Sequence, residues 1–429
     1  MPRLPPRSGE RRAERRSRRP EPPPPSTAVT VAAPPAGTFR TRGQPAAIDA
    51  VGSMLRGGMP HALLLSGPPG VGKGTLAEDI AAALLCLAPD PALRPDRTCR
   101  ACRAVEHGNH PDVHRLEPTG AGAVIPIGGP GREERGVRDL VRELALLPVE
   151  GGARVAIVGS ADRMTEDAQA AFLKTLEEPP AGTVLLLTAS DEERLLDTIR
   201  SRCVRIRLGP VPRREIEDLL VDRGLADAPI AARLARLSGG RPGDAVALAG
   251  APSSLVVRAE IARTLLDLSA AQRADRLRIG RDLVSRAGEM TASLKAGSGG
   301  RAGAKPGRGR RGSQDESGPS AEEGDGATNI EAAPSGPAVR IPAAERRAAA
   351  LALVSIWRDV VRDLALVAMG EPGDVRQVDL IDDLEAATAR LPRSFAPVQL
   401  RRLDVAGERL EGNVSPELVI DVLALGWTA

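Results

Sequence analysis

Aromatic side chains are almost missing from this chain: five in 429 residues, namely Phe39, Phe172, Trp357, Phe395 and Trp427, and no Tyr. A surface that stacks successive bases needs aromatic platforms, so base-by-base reading of a nucleic-acid strand is excluded. Lysine is scarcer still. Lys73, Lys174, Lys295 and Lys305 stand against 55 Arg, and a Lys kept in such a chain marks a place where a compact charge on a flexible stem matters. Net charge is small as well. The 59 basic and 56 acidic residues leave +3, so no global field points to nucleic acid, and any basic surface is local. No window holds the roughly 18 to 20 apolar residues of a membrane-spanning helix. Four Cys, in a chain with no secretory apolar segment after the N-terminus, do not make a disulfide framework; they imply a reducing cytoplasm and a use in metal binding or core packing. What is present, 42% apolar and 27% charged residues, is the composition of a soluble globular protein of two or three domains.

Two segments cannot build a core. Residues 1–38 carry eight Arg and two Glu in the first twenty positions and then Pro-rich runs; they read as a disordered tail, whether a nucleic-acid arm, a solvated extension or the product of a misassigned start. Residues 297–336 hold eleven Gly and one large aliphatic, Ile330, and read as a flexible insertion. Between them, short apolar runs at His61–Ser66, Asp112–Leu116, Arg154–Gly159, Thr183–Thr188 and Cys203–Leu208 predict buried strands. Helical patterns near 74–87, 133–147, 165–178 and 192–200 separate them, and this alternation predicts an α/β fold with a parallel sheet. After Pro210 the pattern is helical only: 213–223, 228–238, 242–249, 252–294, and 342 onward. The expected domains are 39–209 (α/β), 210–250 (small helical) and 251–429 (helical, carrying the insertion).

The sharpest motif is GPPGVGKGT at 67–75, between the first strand and a helix. Gly67, Gly70 and Gly72 let backbone N–H groups wrap a phosphate chain, the helix N-terminus adds partial positive charge, and Lys73 reaches the outer phosphates. One position departs. Gly74 occupies the place of the Mg²⁺-binding Ser or Thr, and Thr75 comes one residue late. The neighbouring strand RVAIV also ends without an acidic pair, in Gly159 and Ser160, with Asp162 inside the following turn. The loop predicts ATP binding; the missing acids predict little hydrolysis.

The segment 161–203, with FLKTLEEPP at 172–180 and SRC at 201–203, resembles the clamp-loader branch of the AAA+ proteins. The missing acids and GNHPDVHRLEP at 108–118 make it similar to the delta-prime kind found in the bacterial DNA polymerase III clamp loader, rather than to the gamma/tau motor kind. The resemblance covers about residues 40–250, and the C-terminal helices by arrangement only. It implies an AAA+ P-loop domain, a helical lid and a helical collar. It implies too that Arg202 is an arginine finger acting in trans on a neighbour's ATP, without a target in its own subunit. Thr165 is read as the cap of the FLKTLEEPP helix, with Met164, Ala168, Ala171, Phe172, Thr175 and Leu176 as its buried stripe. Lys174 lies off that stripe and faces solvent or a partner, or pairs with Glu177 or Glu178. Arg241, at the start of the last lid helix, either senses phosphate or is a surface Arg.

In the resembling family a four-Cys zinc module follows the first helix of the P-loop domain. Here Cys86, Cys99 and Cys102 match three of its positions and Asp96 the remaining one, within a candidate module at 86–107. A Zn²⁺ site of three Cys and Asp96 is chemically open, His107 is a second candidate for the fourth ligand, and packed cysteine relics are the competing reading. Cys203 is expected to be buried. Partners implied by the resemblance are gamma/tau and delta clamp-loader subunits and, through the complex, the sliding clamp and primer-template DNA. Two alternatives stay open: an active gamma/tau-like ATPase, and a zinc-bearing nucleic-acid-binding adaptor.

Overall fold

The computed structural model describes residues 39–120, 122–132, 134–150, 152–299, 342–412 and 414–427. The tail at 1–38 and the part of the insertion beyond residue 299 lie outside these.

Strands and helices alternate: α1 (Pro45–Gly57), β1 (Ala62–Ser66), α2 (Lys73–Leu85), α3 (Arg100–Glu106), β2 (Val113–Leu116), α4 (Val137–Leu144), β3 (Arg154–Val158), α5 (Glu166–Glu177), β4 (Thr183–Ala189), α6 (Asp197–Arg200) and β5 (Val204–Arg207). The five strands form one all-parallel sheet in the order β2-β3-β4-β1-β5. β1, β3 and β4 are buried along their whole length, as near-continuous apolar runs demand when helices cover both faces. One face packs Leu63, Leu65, Ile80, Val155 and Leu186 with α1, α2 and α3. The other packs Leu64, Leu140, Phe172 and Leu185 with α4 and α5. The strand that feeds the phosphate loop, β1, is set between β4 and β5.

Local chemistry explains α5. The Thr165 side chain accepts from the Ala168 amide at 3.3 Å, Glu166 and Asp167 occupy its positively polarised first turn, and the helix stops two residues before Pro179. Phe172 is fully buried; truncating such a ring costs about 3–5 kcal/mol.

The expected helix over 192–200 is instead a 3-10 turn, Glu192–Arg194, followed by the four-residue α6. Asp191 caps the turn by accepting from the Glu193 amide, and the chain then extends to sink Leu195 into the core. Two helices, α1 and α3, lie where the sequence predicted none.

Beyond the sheet come α7 (Arg213–Asp222), α8 (Ala228–Ser238) and α9 (Pro242–Gly250), whose core joins Val211, Ile216, Leu220, Leu234 and Leu248. The remaining helices are α10 (Pro252–Leu268), α11 (Arg273–Gly299), α12 (Ala343–Met369), α13 (Ile381–Thr388), α14 (Phe395–Glu411) and α15 (Pro416–Leu425). The helical run expected over 252–294 breaks at residues 269–272, and α11 continues into the first residues of the expected insertion. Three of the five aromatic residues meet in this last core. Trp427 stands edge-on to Trp357 (centroids 5.1 Å apart) and to Phe395 (4.8 Å), and its indole N–H donates to the Leu265 carbonyl at 3.0 Å. No single helix among the described residues is long and apolar enough to cross a membrane.

Candidate nucleotide cleft and cysteine cluster

β1 delivers the chain into the glycine loop at Ser66. Gly67 has φ +143°, and any side chain there would strike the Leu208 carbonyl. Gly72, with φ +105°, is the N-cap of α2, so α2 begins at Lys73 with its amide groups facing the loop. Above the loop opens a cleft of about 500 Å³, walled by residues 69–75, by the ends of β2, β3 and β4, by Arg40 and Arg42, and by α7 and α9. That volume suits a nucleotide-sized ligand. Gly70, Gly72, Lys73, Gly74 and Thr75 line it, while Gly67 lies behind, at the strand end.

Lys73 is turned onto its own loop. Its Nζ donates to the carbonyls of Gly67 (2.6 Å) and Pro68 (2.8 Å) and to Ser190 Oγ (3.3 Å). Burial lowers its pKa, and the charge of Asp162 opposes that shift. Asp162 accepts from the Ser190 and Asp191 amides, each at 3.2 Å, so it braces the turn after β4. At the end of β3, Gly159 and Ser160 line the cleft. The carboxylate found there comes from elsewhere: Glu117, at the end of β2, lies over Gly159. Burial raises the Glu117 pKa, Arg115 opposing and Glu78 adding.

Arg241 does not reach the cleft. Its stem packs near Gly70, while its guanidinium pairs with Asp244 at 3.0 Å and donates to the Ser238 carbonyl, and is spent between the end of α8 and the first turn of α9. The α9 backbone joins the loop through the Gly243 amide and the Gly70 carbonyl at 3.1 Å. The arginines that line the cleft are Arg40, Arg42 and Arg223, none singled out from the sequence. Thr41 brings the first two there, because its amide and hydroxyl both donate to the buried Asp79 of α2, at 2.8 and 2.7 Å.

Arg202 lies outside the cleft, just past α6. Within its own chain it pairs with Glu177 Oε1 at 2.5 Å and donates to the Thr198 carbonyl at 2.9 Å. Both partners of that ion pair are partly exposed. Lys174 is exposed on α5, and Glu177 is taken by Arg202.

The cysteines converge. Ligand atoms of Cys86, Asp96, Cys99 and Cys102 all lie within 4.8 Å of one another, and the Cys86 and Cys99 sulfurs are 4.0 Å apart. A tetrahedron with Zn–S bonds of about 2.3 Å has edges of about 3.8 Å, so the donor set fits a zinc ion. Asp96 also folds the loop, accepting from the Thr98 and Cys99 amides at 3.0 Å each. Burial pushes its carboxyl up, but those amides and the Cys99 and Cys102 thiols together hold it well below the usual range. Burial raises the Cys86 and Cys102 thiols. Beside the cluster, the buried Arg97 pairs with Asp79 and anchors the loop to α2. His107 is not part of the cluster: it sits at the exposed end of α3, its Nδ1 2.6 Å from the Arg103 carbonyl oxygen. Cys203 is buried, which pushes its thiol up to about 11.

The family described as "DNA polymerase III, delta subunit" matches residues 43–212. DNA polymerase III subunit delta' of Pseudomonas aeruginosa is 41% identical over 184 residues, 42% of this chain and 53% of that one. The Bacillus subtilis subunit delta' is 34% identical over 176 residues, 41% and 50%. Subunit tau of Escherichia coli is 31% identical over 197 residues, 45% and 29%. The chain thus spans about half the length of the delta-prime relatives it matches. Among solved structures, a gamma-subunit-related protein of Thermotoga maritima aligns over 84% of this chain and 99% of its own, at 16% identity and a TM-score of 0.31. Over residues 43–212 the chain is therefore similar to the delta-prime subunits of DNA polymerase III.

Proposed function

We propose that the chain acts as a delta-prime clamp-loader subunit. It assembles with gamma/tau and delta subunits into a hetero-oligomer that places a sliding clamp on primer-template DNA, and it hydrolyses little or no ATP itself. The observation that carries this reading is a nucleotide cleft complete in its loop and helix N-terminus, on whose wall strand β3 ends in Gly159 and Ser160. A subunit built this way contributes to a ring by what it offers its neighbours. Arg202 suits that role. Its planar charge sits at the surface, and a neighbour's γ-phosphate would draw it from Glu177, because a partly exposed ion pair of this kind is worth only about 0–1 kcal/mol.

Zinc fits the second site: Cys86, Cys99, Cys102 and Asp96 would hold it, and it would join the end of α2 to the start of α3. ATP binding in the cleft is part of the same reading, as is a cytoplasmic location. The test is reconstitution with the gamma/tau and delta subunits and the clamp. Arg202→Ala is expected to lower clamp-stimulated ATP turnover by about a hundredfold or more while the purified subunit keeps its fold and assembles. Unchanged turnover and loading would refute the trans role.

A further inference from the structure

The cleft lacks an acid on β3, and the sheet supplies one from the neighbouring strand. β2 runs parallel to β3 with Leu116 opposite Val158, so the next residues, Glu117 and Gly159, come level where both strands leave the sheet. The Glu117 carboxylate covers Gly159 so closely that a Cβ built there would run into both of its oxygens. The carboxylate from β2 therefore fills the space that a side chain on β3 would take. Glu117 shares the wall of the cleft with Gly74, Thr75 and Ser160.

We propose that Glu117 is the cation-binding carboxylate of this cleft, so that a divalent cation on the phosphates of a bound nucleotide is held from β2 in place of β3. The inference rests on the nucleotide-binding reading above. Mg²⁺ is commonly held by one or two carboxylates plus the substrate's own phosphates, and one carboxylate is what this wall provides. Desolvation and the nearby Glu78 raise the Glu117 pKa against the pull of Arg115, and a cation relieves that strain on the charged form. Ser160 stands where a water-orienting acid would follow, so the arrangement predicts cation-assisted binding without turnover.

The test is a fluorescence titration of the full chain with an N-methylanthraniloyl ATP analogue, once in Mg²⁺ and once in EDTA. In the wild type Mg²⁺ is expected to tighten binding about tenfold, the scale of one charge-assisted contact. Glu117→Gln, shown by circular dichroism to be folded, binds equally in both conditions, whereas Lys73→Ala weakens binding in both. The double variant Glu117→Ala with Gly159→Asp, which returns the acid to β3, regains the Mg²⁺ increment. Retention of that increment by Glu117→Gln, or its absence from the wild type, overturns the assignment and leaves nucleotide binding standing. Failure of the wild type to bind the analogue in either condition overturns both.

Discussion

The cysteine cluster and the nucleotide cleft have each lost an expected group, and each has a carboxylate where the loss would be felt. They differ in where that carboxylate comes from. In the cluster it stands at the vacated sequence position, Asp96, three residues before Cys99, and the local turn that it caps delivers it to the sulfurs. In the cleft it arrives on a different strand, and the parallel register of β2 against β3 brings it into place. Replacement within a loop keeps the sequence pattern readable; replacement across a sheet erases it. The lesson is that a missing catalytic acid should be sought on the adjacent strand before a site is declared empty.

The comparison can be broken most severely at the cluster. Cys99→Ser is expected to take bound zinc from one ion per chain to none, read by metal analysis of the purified protein, since one thiolate of a tetrahedral set is gone. Far-UV circular dichroism should stay close to wild type, because Asp79 and Arg97 anchor the loop without the metal. Asp96→Asn should weaken zinc on the order of a hundredfold in a competitive chelator titration, while Asp96→Cys should tighten it; equal affinity in all three proteins would remove Asp96 from the ligand set.

The cleft responds more gently and with pH. Glu117 has its pKa raised above the ordinary 4.5, so on acidification it takes up its proton earlier than an ordinary Glu and then cannot hold a cation. The Mg²⁺ increment is therefore full above the raised pKa and is lost as pH falls through it, a dependence that Glu117→Gln should abolish. The smallest effect belongs to the surface: Glu177→Ala, which releases Arg202, should change unfolding free energy by no more than about 1 kcal/mol in a urea titration.

Much of this molecule was legible in its residues. All five strands lie within about a residue of their apolar runs; for β1, β3 and β4 this is because a parallel sheet covered on both faces leaves little choice of side chain. The start and stop of α5 were readable from Thr165 and Pro179, the glycine loop from its spacing, and the three cysteines from theirs. What escaped depended on long-range contact. α3 starts at a cysteine whose own sulfur accepts from the Cys102 amide, a cap that no residue-type rule anticipates. Arg40 and Arg42 reach the cleft through the buried Asp79. Arg241 was left between phosphate sensor and surface Arg because the residue types do not show that its i,i+3 carboxylate Asp244 claims it, and the pairing of Arg202 with Glu177 of α5 is likewise a contact made only in the fold.

The packing of Trp427 against Trp357 and Phe395 has a practical corollary. With both Trp residues fully buried in the C-terminal helical core and no Tyr in the chain, tryptophan emission is a private signal of that bundle. Unfolding followed at those wavelengths reports the helical core alone. A change in emission on adding ATP or zinc would mean that an event in the sheet domain had travelled into the bundle, so the natural scarcity of aromatics turns the unlabelled protein into its own sensor of communication between its parts.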